Sequence, residues 1–405
     1  MRILHTGDWH LGDRLGRCDR TQDIRKNVER IAALCDEEQV EVLALAGDIF
    51  SDKNRHQDNL NETIDHLSRT FRRFLSAGGT ILAVTGNHDN EIRCQTLRNA
   101  LTLADPRDNP AGSLVAPGRL YLATGPTFYR VADHDGSEVQ FVLMPYPTPP
   151  RYFDGPGQGA GTPAEINRRL QTAYQAALER IQASERFRQD IASVLIAHVQ
   201  VRGVPTENGR ELTEAQDVIF NDGSVPTAWA YVALGHVHRA QMLGGLEHVR
   251  YCGSIEHLNL DERDYPTSVV VFDIGPSHKA RDIRVLQLPA TPIYDVIIDH
   301  PEEEIPHLRS KYQDHEQALV QYRLAWKPGE HDRNALIQQI EAIFPRWYRS
   351  DPHEVGRAIE AARHASLPAE ATGPERTVLH FLEKELELDS DRDDILTMAQ
   401  ELMNR

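Results

Sequence analysis

Seven side chains of metal-binding type, Asp8, His10, Asp48, Asn87, His198, His236 and His238, each follow closely on a short apolar run. They fall in the segments Asp8-Trp9-His10, Gly47-Asp48, Gly86-Asn87-His88-Asp89, a lone His198, and Gly235-His236-Val237-His238. Carboxylate, carboxamide and imidazole donors without a thiolate suit Mn²⁺ better than a structural zinc, with Fe²⁺ or Mg²⁺ as rivals. Two such cations sharing one carboxylate need about this many protein ligands and leave positions for water and a phosphate oxygen. Cations about 3.5 to 4 Å apart acidify a water and neutralise charge building on phosphorus, so the chemistry such a pair would support is phosphoester hydrolysis. Singly, each segment has an ordinary explanation: a turn at Gly47-Asp48 or Asn87-His88-Asp89, a core histidine at 198, exposed strand ends at 236 and 238. Five of them, each after a buried run, are hard to obtain by accident.

The elements that must position these residues are legible as period. Apolar runs at 2–5, 40–46, 80–84, 193–197 and 231–234 read as strands buried on both faces. Helical stripes lie between them. One starts at Thr21, an expected N-cap, and carries Ile24, Val28, Ile31 and Cys35; a second carries Leu60, Ile64, Leu67, Phe71 and Phe74 and stops at Gly78-Gly79. Strand and helix in alternation imply an α/β layered core, and parallel strands would bring their carboxyl ends, with all seven donors, to one crevice. The Pro- and Gly-rich stretch 146–163 is expected as a surface loop, with helix again over 164–188.

A second unit is expected at 289–353, a small α+β domain with strands over 294–298 and 318–324 and helices over 302–312 and 334–344. Residues 354–373 read as a linker. Beyond it, 374–405 reads as two short amphipathic helices. Thr372 and Glu375 fit a capping box, one stripe holds Val378, Leu379, Leu382 and Leu386, and the next holds Ile395, Ala399 and Leu402.

Composition narrows the class. The 405 residues carry 61 acidic and 44 basic side chains, a formal charge of −17, which disfavours holding nucleic acid by bulk charge. No stretch approaches the roughly 18 apolar residues of a membrane span, and four cysteines without a CxxC pair make neither a disulfide framework nor a zinc ribbon. A cytoplasmic protein is expected.

GDWH, GDIF, GNHD, the lone histidine and GHVH together resemble the calcineurin-like metallophosphoesterase superfamily. The resemblance covers roughly residues 1 to 270 and implies a double-sheet sandwich flanked by helices. Within it, MRILHTGDWHLG, AGDIF, TGNHD, LIAHVQVRG, YVALGHVHRAQ and YCGSIEHLNLDE resemble the SbcD family, nuclease subunits of the SbcC/SbcD repair complex. That resemblance implies that Asp8, His10 and His238 hold one Mn²⁺, that Asn87, His198 and His236 hold the other, and that Asp48 bridges. His88 would contact the phosphate or protonate the leaving oxygen. Ser51 stands where some members carry a histidine, so any role of that histidine is not transferred.

Arg14, Arg17, Lys53, Arg55, Arg93, Arg202 and Arg239 follow the five segments and would form a positive rim for DNA, or else are solvated loop charge. From 366 to 405 ten acidic residues face four basic ones, so the tail is no DNA arm. It reads as a docking element, with Leu379, Leu382, Leu386, Ile395 and Leu402 presented to a partner, or as helices packed on their own domain. In SbcD relatives this segment binds the base of the SbcC coiled coil and the small domain caps the nuclease site. The resemblance further implies a homodimer, giving a heterotetramer with an SbcC-type ABC ATPase. The reading is a DNA exonuclease and endonuclease of double-strand-break repair and DNA end or hairpin processing. Its alternatives are a phosphatase or cyclic-nucleotide phosphodiesterase and a non-catalytic DNA-end tether.

Overall fold

The computed structural model describes residues 1–52, 57–104, 114–115, 119–153, 160–205, 212–213, 215–220, 229–275, 278–354 and 398. Its strands, in chain order, begin with β1 (Arg2–Thr6), β2 (Val42–Leu45), β3 (Thr80–Val84), β4 (Leu120–Ala123), β5 (Thr127–Ala132), β6 (Glu138–Met144), β7 (Ala192–His198) and β8 (Tyr231–Gly235). They continue with β9 (Gln241–Leu243), β10 (Leu246–Tyr251), β11 (Ser268–Ile274), β12 (Ala280–Gln287), β13 (Ile293–Ile298), β14 (Leu319–Trp326) and β15 (Trp347–Glu354). One six-stranded sheet has the order β12-β11-β1-β2-β3-β4; a seven-stranded sheet runs β9-β10-β8-β7-β6-β5 and ends on the short strand Leu114–Val115.

The two sheets form a sandwich because their strands are apolar on both faces. Ile3, Val42, Ala44, Leu82 and Val84 of the first sheet meet Phe141, Leu143, Val194, Ile196 and Ala233 of the second in one central core. The alternate residues turn outward. Leu4, Leu43, Leu45, Ile81 and Ala83 pack under α1 (Thr21–Glu37), α2 (Gln57–Thr70), α3 (Arg72–Ser76) and α4 (Glu91–Ala104). Val142, Leu195, Val232 and Leu234 pack under α5 (Pro163–Gln182). Continuous Val, Ile and Leu runs are what a doubly covered strand requires. β1, β2 and β3 are mutually parallel, as are β6, β7 and β8, so their carboxyl ends reach one edge of the sandwich.

Four local expectations change. Thr21 is the first helical residue of α1, not its cap, because the Asp19 carboxylate accepts the Thr21 N–H at 2.7 Å and Arg20 takes the cap position. The helix expected through 60–74 breaks at Phe71, whose ring stacks on Trp9 with centroids 5.9 Å apart. The helix expected over 302–312 is three short turns, Pro301–Glu304, Ile305–His307 and Leu308–Lys311, since Pro306 has no N–H to continue it. Within 146–163, Pro149–Tyr152 is helical and Pro147 is buried, so the first part of the stretch is not a plain surface loop, while 160–163 are exposed as expected and 154–159 lie outside the described residues.

The third sheet is β13-β14-β15, all parallel, with α6 (Arg333–Ile343) on it. Val296, Ile298, Val320, Tyr322, Leu324, Ile340 and Phe344 form its separate core. The hairpin Arg14–Leu15/Cys18–Asp19 leans on β15: the Arg17 guanidinium lies 4.4 Å over the Trp347 ring, and Arg346 Nη2 meets Asp23 Oδ2 at 2.5 Å. The helical segment expected at 374–405, with Leu379, Leu382, Leu386, Ile395 and Leu402, lies outside the described residues apart from Met398, as does the linker beyond Glu354.

Candidate metal centre

Each strand end turns sharply to present its donor. Asp8, His10, Asp48 and His236 have φ of 51°, 48°, 49° and 100°, a left-handed region that side chains other than Gly, Asn and Asp seldom occupy. Such strain persists only where the surroundings over-determine it, and it clusters at functional sites. The preceding glycines make room: a Cβ on Gly47, whose φ is +92°, would strike the His198 ring, and one on Gly86 would strike the Asp48 carboxylate.

The donors converge. His10 Nε2 and His238 Nε2 face each other at 3.3 Å, and ligand atoms of Asp8, His10 and His238 all lie within 4.8 Å of one another. On the other side, Asn87 Oδ1 stands 3.0 Å from both His198 Nε2 and His236 Nδ1. Asp48 Oδ2 lies between the groups, 3.6 Å from His10 Nε2 and 3.3 Å from His198 Nε2. Ring nitrogens and carboxylate oxygens aimed at one another in a buried space, with Asp8 fully buried and Asp48 only 1% exposed, form a donor set that fits two divalent cations. His88 sits at the mouth, 38% exposed, with its Nδ1 3.5 Å from Asp52. Its ligand atom also falls within 4.8 Å of those of His10 and Asp48.

Hydrogen bonds behind the donors set the tautomers. His198 Nδ1 donates to the Ala46 carbonyl at 2.7 Å, which leaves Nε2 facing Asp48 and Asn87 as the position where a cation would replace a proton. His238 Nδ1 donates to Glu262 at 2.9 Å and His236 Nε2 donates to Asp217 at 2.6 Å, which turns the inward nitrogen of each ring toward the other donors. Burial pushes the Asp8 carboxyl up, against the pull of His198 and His238. Burial acts the same way on Asp48, but the charge and hydrogen bond of His198, with His10 and His88, hold it well below the usual carboxylate range. Burial works to lower His198, yet the charges of Asp48 and Asp8 outweigh it and raise the ring to about 9. Burial and Asp48 lift Asp89 to about 6, and its carboxylate accepts the N–H groups of Ile49, Phe50 and Gly86, tying the second loop to the third.

A sequence profile described as calcineurin-like phosphoesterase matches residues 1–240. The chain belongs to this family. It is similar to the SbcD subunit of the nuclease SbcCD of Bacillus subtilis, 27% identical over 300 residues that cover 72% of this chain and 71% of that one. The protein of the same name from Escherichia coli K12 is 27% identical over 312 residues, covering 72% and 69%. That from Rhodobacter capsulatus is 28% identical over 338 residues, covering 76% and 79%. A solved structure, a dimetal phosphatase from Danio rerio, superposes over 67% of this chain and 92% of its own with a TM-score of 0.40 at 11% identity, too loosely to bear on the site.

This calcineurin-like phosphoesterase is thus a metal-dependent hydrolase of phosphoesters, and its sandwich is the fold the motifs lead one to expect. Of the basic residues expected at a rim, Arg93 lines a cavity of about 410 Å³ beside His88, and Arg202 is exposed beyond β7. Arg239 lies 4.6 Å over the Tyr265 ring. Arg14 and Arg17 stand on the hairpin against the third sheet; Lys53 and Arg55 lie outside the described residues. Sequence reasoning missed Glu262, Asp217, Tyr146 and Arg151. Arg151, 2% exposed, donates to the carbonyls of Gly86 and Tyr146 at 3.0 Å each and to that of Asp89 at 3.3 Å, clamping the loop that carries Asn87. Glu262 stood within the segment YCGSIEHLNLDE, whereas Asp217 stands in no motif. Among the described residues no helix is long and apolar enough to cross a membrane.

Proposed function

We propose that the protein is a two-metal DNA exonuclease and endonuclease that hydrolyses phosphodiesters in double-strand-break repair together with an SbcC-type ABC ATPase. The observation that carries this reading is the pair of donor groups meeting at Asp48, in a chain similar to three proteins named as components of the SbcCD nuclease. Asp8, His10 and His238 hold one ion, Asn87, His198 and His236 the other, and Asp48 serves both. Mn²⁺ is the favoured metal. Bound there, the cations neutralise charge on the phosphodiester and acidify the attacking water.

The chain's own residues do the rest. His88, at the mouth and outside both expected ligand sets, contacts the phosphate or gives a proton to the leaving oxygen. Arg93 at the neighbouring cavity, with Arg202 and Arg239, meets backbone phosphates, while a net charge of −17 keeps DNA off the remaining surface. The third sheet caps the cleft, and the tail binds the ATPase coiled coil. Two copies associate through α2 and α4, with Ile92 77% and Leu103 85% exposed on α4, giving a heterotetramer with the ATPase. The test is cleavage of linear duplex DNA by purified protein with Mn²⁺ or Mg²⁺, with and without the ATPase. Hydrolysis of small phosphomonoesters but not of DNA would reject the nuclease reading.

A further inference from the structure

We infer that Glu262 and Asp217 are positioning residues that each serve one cation: Glu262 orients His238 for the ion at Asp8 and His10, and Asp217 orients His236 for the ion at Asn87 and His198. This rests on the two-cation reading of the site. A histidine ligand needs its proton on the far ring nitrogen and its ring held in plane with the ion, and a carboxylate on that nitrogen supplies both while raising ligand basicity.

Glu262 is built for the task. It is 2% exposed, and besides His238 Nδ1 at 2.9 Å it accepts from Ser254 Oγ at 3.2 Å, Leu258 N at 3.0 Å and Asn259 Nδ2 at 2.7 Å. With both oxygens engaged it cannot swing away from the ring. Asp217 is held the same way: Oδ2 takes His236 Nε2 at 2.6 Å, while Oδ1 takes the Tyr146 hydroxyl at 2.5 Å and Val218 N at 2.6 Å. The Tyr146 ring lies 5.6 Å from the His236 ring and fixes it from the side.

The separation of duties follows from which nitrogen each carboxylate takes. Glu262 binds Nδ1 of its histidine and turns Nε2 toward His10; Asp217 binds Nε2 of its histidine and turns Nδ1 toward Asn87. The two carboxylates come from different loops, after β10 and before β8, so each can be altered with the other left in place. His198 depends on the carbonyl of Ala46 instead, which a side-chain substitution does not remove.

The experiment measures Mn²⁺ binding to the full chain by calorimetry and electron paramagnetic resonance for the unaltered protein, Glu262→Gln, Asp217→Asn and the double variant. The amides keep the shape and an accepting oxygen but remove the charge, and melting curves report whether the fold persists. The unaltered protein should bind two spin-coupled ions. Each single variant should keep one ion at unchanged affinity and weaken the other about 10- to 100-fold, showing an isolated-ion spectrum at intermediate Mn²⁺, and the double variant should weaken both. Two ions at unchanged affinity in both single variants, or equal weakening of both ions in each, would overturn the inference alone. Fewer than two ions in the unaltered protein would overturn the two-cation reading and this inference with it.

Discussion

Asp48 stands between the two donor groups, 3.6 Å from His10 Nε2 and 3.3 Å from His198 Nε2, which makes it the sharpest point of attack. Asp48→Ala should lose both ions and bring phosphodiester hydrolysis to background; elemental analysis showing two retained metals with near-normal cleavage would reject the bridging role. For His88 the expected outcome differs, because it stands at the mouth and outside the proposed ligand sets. His88→Ala should keep its metal and lose about 10²- to 10⁴-fold in rate. Away from the centre, burial drives the His5 imidazole down to about 3, and the ring is held neutral between the Tyr231 hydroxyl at 3.1 Å and the Leu234 carbonyl at 3.2 Å. Between pH 6.5 and 3 the unfolded chain therefore binds a proton at residue 5 that the folded chain does not. Stability should fall with decreasing pH across that window, with this residue contributing up to about 1.4 kcal/mol per pH unit. His5→Gln should flatten that part of the acid limb of a urea-midpoint profile, and an unchanged slope would refute the assignment.

Among the elements, the loop between β10 and β11 acts as a bracket. Glu262 at one end holds His238; Glu256 accepts the Thr291 N–H at 2.9 Å and its hydroxyl at 3.0 Å, just where the chain leaves the first sheet for the third. Arg20, fully buried, meets Glu256 at 3.4 Å and Asp23 at 2.8 Å, and Asp23 in turn meets Arg346 beside β15. This ladder of charges spans from the crossover at Thr291 to the third sheet. Arg346→Ala removes the Asp23 contact and the bond to the Gln317 carbonyl at 2.7 Å, a loss of about 1 to 3 kcal/mol. Faster hydrogen exchange should appear in β15 and the hairpin 14–19, with Mn²⁺ affinity unchanged; exchange as slow as in the unaltered protein would show that the ladder holds nothing.

At the scale of the whole molecule, the expected stripes of the tail, Leu379, Leu382 and Leu386, then Ile395 and Leu402, belong to helices too short to be stable alone in water. Deleting the residues after Gly373 should leave metal binding and intrinsic nuclease activity intact and abolish capture of an SbcC-type ATPase, and Leu382→Glu should do the same, since a charge amid the stripe is costly to desolvate. Undiminished pull-down by both variants would mean that the helices pack on their own domain. Association of two copies through α4 is tested by light scattering: Leu103→Glu should give a monomer where the unaltered chain gives a dimer.

Period and residue type carried the α/β layered core and the meeting of seven donor-type side chains, with the double sandwich implied by the resemblance, because a strand covered on both faces must be apolar throughout and a parallel strand delivers whatever follows it to one edge. Ile3-Leu4 and Val42 through Leu45 announce that burial in the chain itself, and Asp8, His10 and Asp48 stand just beyond. β15 was not legible, since its sequence WYRSDPHE is mostly polar and its pairing with β14, not its composition, makes it a strand. Nor were Asp217 and Glu262, 19 and 24 residues from the histidines they hold, or Arg151, 62 residues from the Asp89 carbonyl it binds. Such partners leave no period, because a hydrogen bond at a loop end depends on where two turns come to rest. Only the closing of one sheet over the other fixes that position.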